Sequence, residues 1–203
     1  MQVLDARIES IERVVEAAAA VIFDGGTIVF PNDTSYALGC DPYRPQAVDR
    51  VYTLKAHSRH QALTLLVASP AEFLEYARSN PLAILASKRL LPGPVTLIVR
   101  KPAFLPDDVT AGLTTLEMRV PDEPVARAIL ERAGPLAAAS IVGNEEFDVD
   151  LRIENGTTRY DRESTIVDIT EHQARLVREG AVGHERLAEL LGSITRTSAK
   201  ARW

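Results

Sequence analysis

Apolar positions along the chain alternate between two periods, one near 3.6 and one near 2. Ile8, Ile11, Val14, Val15, Ala18, Ala19 and Ile22 recur at three- and four-residue spacing, which predicts a helix with one apolar stripe, stopped by Gly25-Gly26. Thr27 to Phe30 are β-branched or aromatic and predict a buried strand, closed by Pro31, whose nitrogen cannot donate to a ladder. Pro45 to Lys55 reads as a helix begun by proline, with Val48, Val51, Tyr52 and Leu54 on its apolar side. Leu63 to Ala68 is apolar apart from Thr64 and predicts a buried strand, followed by helices over Pro70 to Ala77 and Pro81 to Leu91. Strands follow at Val95 to Val99 and Thr115 to Val120, then a capped helix from Asp122 to Ala133 and a strand from Leu136 to Ser140.

Regular patterning stops between Ile141 and Glu163, an acidic and polar stretch with Gly143 and Gly156, and predicts a long loop of the functional or mobile kind. Ser164 to Ile169 and Ala174 to Val177 then alternate as a strand pair, and Glu185 to Leu191 reads as a helix. The last stretch, S-I-T-R-T-S-A-K-A-R-W, has no stripe and predicts a disordered tail over 193–203 with Trp203 exposed. Helices alternating with strands make an α/β layout, expected as one domain over 1–192.

Composition narrows this picture. With 203 residues, 46% of them hydrophobic, the chain can bury a substantial core. A net charge of −5 argues against coating a polyanion wholesale, yet Arg44, Arg50, Lys55 and Arg59 stand against Asp49 alone in the stretch from Arg44 to His60. That basic run is either a solvated helix face or a site for a defined anion. Cys40 is the single cysteine, so no internal disulfide forms, and it reads as a small buried hydrophobe. No signal-peptide pattern and no run of about 18 apolar residues is present, and a cytoplasmic location without membrane contact is expected. His57 and His60 lack metal-ligand spacing, and Glu145, Glu146, Asp148 and Asp150 lack that of a calcium loop, so no metal site is expected from either.

The densest chemistry lies at the end of the first strand. Asn32, Asp33, Thr34, Ser35 and Tyr36 place five hydrogen-bonding side chains at one strand mouth, as a capped turn or as a pocket wall. Five motifs in order, P-N-D-T-S-Y-A-L-G-C, L-P-G-P-V-T-L-I-V, M-R-V-P, S-T-I-V-D and V-R-E-G-A, give the chain a resemblance to the YrdC/YciO family of threonylcarbamoyl-AMP synthases over roughly residues 10 to 185. Y-A-L-G-C, M-R-V-P and V-R-E-G together look closer to its YciO branch.

The resemblance implies a twisted mixed β-sheet flanked by helices, with a concave basic face. It implies an enzyme that condenses threonine, bicarbonate and ATP into threonylcarbamoyl-AMP and pyrophosphate, for the threonylcarbamoyl-adenosine modification of tRNA. Such chemistry crowds anions together, so cations must offset their repulsion. Lys55 and Arg59 occupy the family's phosphate- and carbonate-facing positions and are the candidate catalytic pair; Arg119 and Arg178 match its other basic positions. Asp33, Thr34 and Tyr36 are expected to shape the pocket, and Ser140 and Ser164 to bond substrate or phosphate oxygens. Mg²⁺ would accompany ATP. Each residue also has a plainer reading: Lys55 and Arg59 solvated at a helix end, Arg178 a strand-end cation in water, the serines core hydroxyls. Arg119 resists one, because between Met118 and Val120 in a strand it must face away from both.

Four departures stand out. Synthases carry K-x-R where this chain has Lys55-Ala56-His57, and S-x-N where it has Ser140-Ile141-Val142; Asn32 replaces threonine and Ala37 glycine. These changes keep open an altered synthase, a noncatalytic double-stranded RNA or tRNA-binding module on the same concavity, and a small-molecule binder that has lost catalysis.

Overall fold

The computed structural model describes residues 1–56, 61–77, 80–141, 145–160 and 162–196. Its first helix, α1 (Ile11–Phe23), starts later than the apolar stripe, because the Ser10 hydroxyl accepts the Arg13 amide hydrogen and caps it there. Ile8 lies ahead in a turn held by the Asp5 carboxylate accepting from the Arg7 amide, and is 82% exposed. The other helices are α2 (Pro45–Leu54), α3 (Pro70–Tyr76), α4 (Pro81–Leu90), α5 (Pro124–Ala133) and α6 (His184–Leu191). Helices α2 to α5 each begin with proline in the first turn, where its missing N–H is no loss.

The strands are β1 (Gln2–Asp5), β2 (Ile28–Phe30), β3 (Ala37–Cys40), β4 (Thr64–Leu66), β5 (Val95–Arg100), β6 (Thr115–Arg119), β7 (Leu136–Ser140), β8 (Leu151–Glu154), β9 (Thr165–Asp168), β10 (Ala174–Arg178) and β11 (Ile194–Arg196). They join one twisted mixed sheet in the order β1-β8-β2-β3-β7-β4-β6-β5-β9-β10-β11. The middle of the sheet mixes antiparallel pairs (β2 with β3, β3 with β7, β7 with β4, β6 with β5) and parallel ones (β4 with β6, β5 with β9).

Two expectations change. The stretch from Ile141 to Glu163 is not one loop: β8 lies inside it and pairs in parallel with both β1 and β2. Four residues, L-R-I-E, among acidic neighbours carry too little alternation to show a strand whose partners lie far away in sequence. The stretch from 193 is not wholly a tail either, since β11 pairs with β10 and buries Ile194; Trp203 falls outside the described residues.

Strand alternation splits the core in two. Val29, Leu38, Leu65, Leu97, Met118 and Ala137 face the larger core, under α2, α3, α4 and α6; Ile28, Phe30, Leu66, Leu136 and Ala138 face the smaller one, under α1 and α5. α1 and α5 pack on each other and on the β1-to-β7 half of that second face. Over β4, β6, β5 and β9 the same face carries Thr64, Glu117, Arg119, Thr96 and Ile98, which line a hollow instead. Cys40 is fully buried, and burial, helped by Asp41, pushes its thiol up to about 12, so it packs as a hydrophobe. No described helix is long and apolar enough to cross a membrane.

Candidate functional site

The hollow is a cavity of about 300 Å³ lined by parts of seven strands and the end of α2, at the low end of the range that small ligands occupy. Lys55, Arg119, Ser140, Ser164 and Arg178 all line it. Arg59, the fourth expected cation, and His57 lie outside the described residues, as does Val142.

Each described cation reaches the cavity with a carboxylate partner. Lys55 caps the C-terminus of α2; its side chain is only 6% exposed, with the ammonium paired to Glu145 and 5.3 Å from the centroid of the Phe147 ring. A solvated helix-end lysine is therefore not what the fold builds. Arg119 is held on three sides: Nε donates to the Gly93 carbonyl (3.1 Å), Nη1 to the Thr34 hydroxyl (2.6 Å), and Nη2 pairs with Asp33. Burial pulls Arg119 below its ordinary value, and the Asp33 carboxylate opposes this. Arg178 donates from Nη1 to Glu163 (2.9 Å) and from Nε and Nη2 to the Ser164 carbonyl (3.2 and 3.0 Å). The Ser164 hydroxyl meets Thr96 at 2.8 Å, while Ser140 ends β7 exposed.

Three expected pocket residues stand elsewhere. Asp33 and Thr34 are buried behind Arg119 and orient it, with no surface on this cavity. Tyr36 is further away: its hydroxyl donates to the Gly156 carbonyl and accepts the Asn155 amide hydrogen, both at 2.8 Å, tying down the connection after β8. Their polarity marks a scaffold for the site, because at a strand mouth the buried backbone and an arginine need partners before any ligand does. The basic run on α2 is answered likewise: Arg50 pairs with Asp150 (3.0 Å) and Lys55 with Glu145, so part of the acidic stretch balances it.

Glu117 was not singled out by the sequence, although alternation in T-L-E-M-R puts it on Arg119's face, two residues earlier. It lines the cavity floor, accepts a hydrogen bond from Thr64 (3.2 Å), and burial pushes its carboxyl above the usual range. Asn32, Thr96 and Thr115 add further polar lining.

The family model for Sua5, YciO and YrdC proteins, described as "Telomere recombination", matches residues 20–180. This chain belongs to that family. It is 31% identical to a threonylcarbamoyl-AMP synthase of Pyrococcus abyssi, over 89% of this chain and 58% of that protein. It is 30% identical to a putative threonylcarbamoyl-AMP synthase of Methanocaldococcus jannaschii (89% and 92%) and 29% identical to YciO of Escherichia coli (83% and 90%). The chain thus spans little more than half the length of the P. abyssi relative. Among solved structures, P. abyssi Sua5 complexed with L-threonine superimposes with a TM-score of 0.87 at 29% identity, covering 97% of this chain and 62% of that one. E. coli YciO gives 0.79 at 26%, covering 94% and 98%.

For this Sua5/YciO/YrdC chain the five motifs have a spatial meaning. P-N-D-T supplies Asn32 and the supports of Arg119; L-P-G-P supplies the Gly93 carbonyl; M-R-V-P, S-T-I-V-D and V-R-E-G supply Arg119, Ser164 and Arg178. Gly180 in V-R-E-G is demanded by contact: a Cβ there would fall 2.7 Å from the Ser164 carbonyl carbon and against the Glu163 carbonyl oxygen.

Proposed function

We propose that this protein is an L-threonylcarbamoyladenylate synthase-like enzyme, joining threonine, bicarbonate and ATP into threonylcarbamoyl-AMP and pyrophosphate for tRNA modification. The observation that carries the reading is the meeting of Lys55, Arg119 and Arg178 over one cavity with Ser140 and Ser164. The named synthase relatives and the threonine-bound Sua5 structure support it.

In this reading the threonine nitrogen attacks the bicarbonate carbon and water leaves, giving a carbamate. A carbamate oxygen then attacks the α-phosphorus of ATP, breaking its bond to the bridging oxygen, and pyrophosphate departs. Both steps bring anions together, so charge stabilisation and positioning supply the rate, without a covalent nucleophile. The three cations divide the work by mobility. Glu145 and Glu163 have side chains 42% and 55% exposed, so they can turn to water and yield Lys55 and Arg178 to phosphate or carbonate oxygens. Asp33 is enclosed and cannot leave, so Arg119 is a fixed positive wall. The Ser140 and Ser164 hydroxyls would bond substrate oxygens, and Arg59 would join Lys55.

Mg²⁺ would arrive on the phosphates as part of the ATP substrate. Among the described residues no three His, Cys, Asp or Glu side chains gather to hold a metal; Glu117 and Glu163 are the carboxylates at the cavity, and an ion that keeps its waters and takes phosphate oxygens needs at most one or two. The rival reading of an RNA-binding concavity requires cations turned toward a backbone. Lys55 and Arg119, with side chains 6% and 4% exposed, suit a small enclosed ligand instead.

The test is ATP-dependent incorporation of labelled bicarbonate into a threonine adduct, with adenylate and pyrophosphate as stoichiometric readouts. Arg178→Ala should lower kcat/KM by about 10²-fold. No ATP binding at saturating concentration overturns the synthase reading.

A further inference from the structure

Glu117 is the carboxylate the scheme above leaves unused, and its setting is unlike that of the other acids around the cavity. Glu145, Asp33 and Glu163 each pair with a cation, respectively Lys55, Arg119 and Arg178. Glu117 makes no ion pair among the described residues; its hydrogen bond comes from the Thr64 hydroxyl on the neighbouring strand. It stands at the middle of β6 on the cavity floor, flanked in register by Thr64 of β4 and Ile98 of β5. The charged groups sharing that cavity are Arg119 on its own strand, Lys55 after α2, and Glu163 and Arg178 on the far wall. A carboxylate largely removed from water, opening on a hollow, forming no ion pair among the described residues and offset only at a distance by the charge of Arg178, is complementary to a cationic group on a ligand.

We infer that Glu117 binds the ammonium group of the amino-acid substrate and then takes one of its protons, acting as the base that makes the nitrogen nucleophilic. This rests on the synthase reading and names how that site recognises its amine. One N–H proton passes to the Glu117 carboxylate, leaving a neutral amine. The amine nitrogen bonds to the bicarbonate carbon, the carbon–hydroxyl bond breaks, and that hydroxyl takes the second N–H proton away as water. Glu117 returns its proton to solvent. Burial, which holds the carboxyl above its usual range, also makes it a better proton acceptor once ionised.

The experiment compares L-threonine with 2,3-dihydroxybutanoate, in which a hydroxyl replaces the ammonium, by titration calorimetry on the full chain. Wild type should favour threonine by about tenfold or more, and Glu117→Gln should abolish that preference while leaving ATP affinity unchanged or tighter. In turnover, Glu117→Gln should lower kcat about 10²-fold and remove the acid limb of the pH profile. Thr64→Val, which deletes the hydroxyl that holds the Glu117 pKa down, should move that limb to higher pH. Equal affinity of wild type for the two ligands overturns the inference, as does a Glu117→Gln enzyme that keeps both its preference and its acid limb. Should Glu117→Gln not fold, the wild-type ligand pair and Thr64→Val decide alone. A wild type that forms threonylcarbamoyl-AMP while Glu117→Gln matches it defeats only this assignment; a wild type that prefers threonine but never binds ATP defeats the synthase reading and leaves the ammonium site standing.

Discussion

An arginine whose side chain is 4% exposed must have its charge answered inside the protein, and Arg119 has Asp33, Thr34 and the Gly93 carbonyl to answer it. Replacing it by alanine strands the Asp33 carboxylate, whose other oxygen, Oδ2, already has no hydrogen-bond partner among the described residues. Arg119→Ala should therefore destabilise the fold by about 3–5 kcal/mol, read by urea denaturation. Arg119→Lys should recover little, because three donors in a fixed fork are needed. Arg178, with a side chain 38% exposed, should behave oppositely: its alanine variant loses activity while stability changes by no more than about 1 kcal/mol. Glu117 gives a signed pH effect. Its pKa is raised on folding, so the protonated form is the one the fold favours, and the stability this brings is present at low pH and lost as pH rises through the raised value. Glu117→Gln should accordingly raise Tm at pH 7 relative to wild type, with the gap closing near pH 4, as measured by thermal melts across pH.

Helices were the legible elements. Ser10, Ser69, Asn80 and Glu123 cap α1, α3, α4 and α5 through their side chains, and these caps and first-turn prolines are local signals that sequence carries in full. Four short strands were not: β1, β3, β8 and β11 have too few positions for a period of two to stand out and lack the unbroken apolar run that marks β2 and β4, and pairing with distant strands decides them. The β9–β10 pair shows how an element positions the site. Gly180 lets the chain after β10 press against Glu163 and Ser164, and its amide donates to the Thr165 hydroxyl (3.0 Å). Gly180→Ala should destabilise by about 1–3 kcal/mol and lower activity with it, because the Ser164 backbone that Arg178 grips must shift; paired denaturation and activity assays check this.

At the scale of the whole molecule, motifs spread from residue 32 to residue 178 converge on one hollow because helices α1 and α5 cover only part of their sheet face. The order of those motifs was enough to place the chain in its family and to nominate Lys55, Arg119, Ser140, Ser164 and Arg178, which do share the cavity. It was not enough to separate side chains that line the cavity from those that hold the ones that do. Asp33, Thr34 and Tyr36 look as reactive as any residue in the chain, yet they brace Arg119 and the connection after β8. Glu117, plain in sequence, opens on the cavity. By itself the sequence determined the helices to within a few residues at their ends, the strands with a clear apolar run, and the family, because spacing, caps and motifs are written along the chain. Only the tertiary structure decided which carboxylate neutralises which cation and which is left facing the hollow, because those relations arise between strands and loops that lie far apart in sequence and meet only when the sheet is assembled.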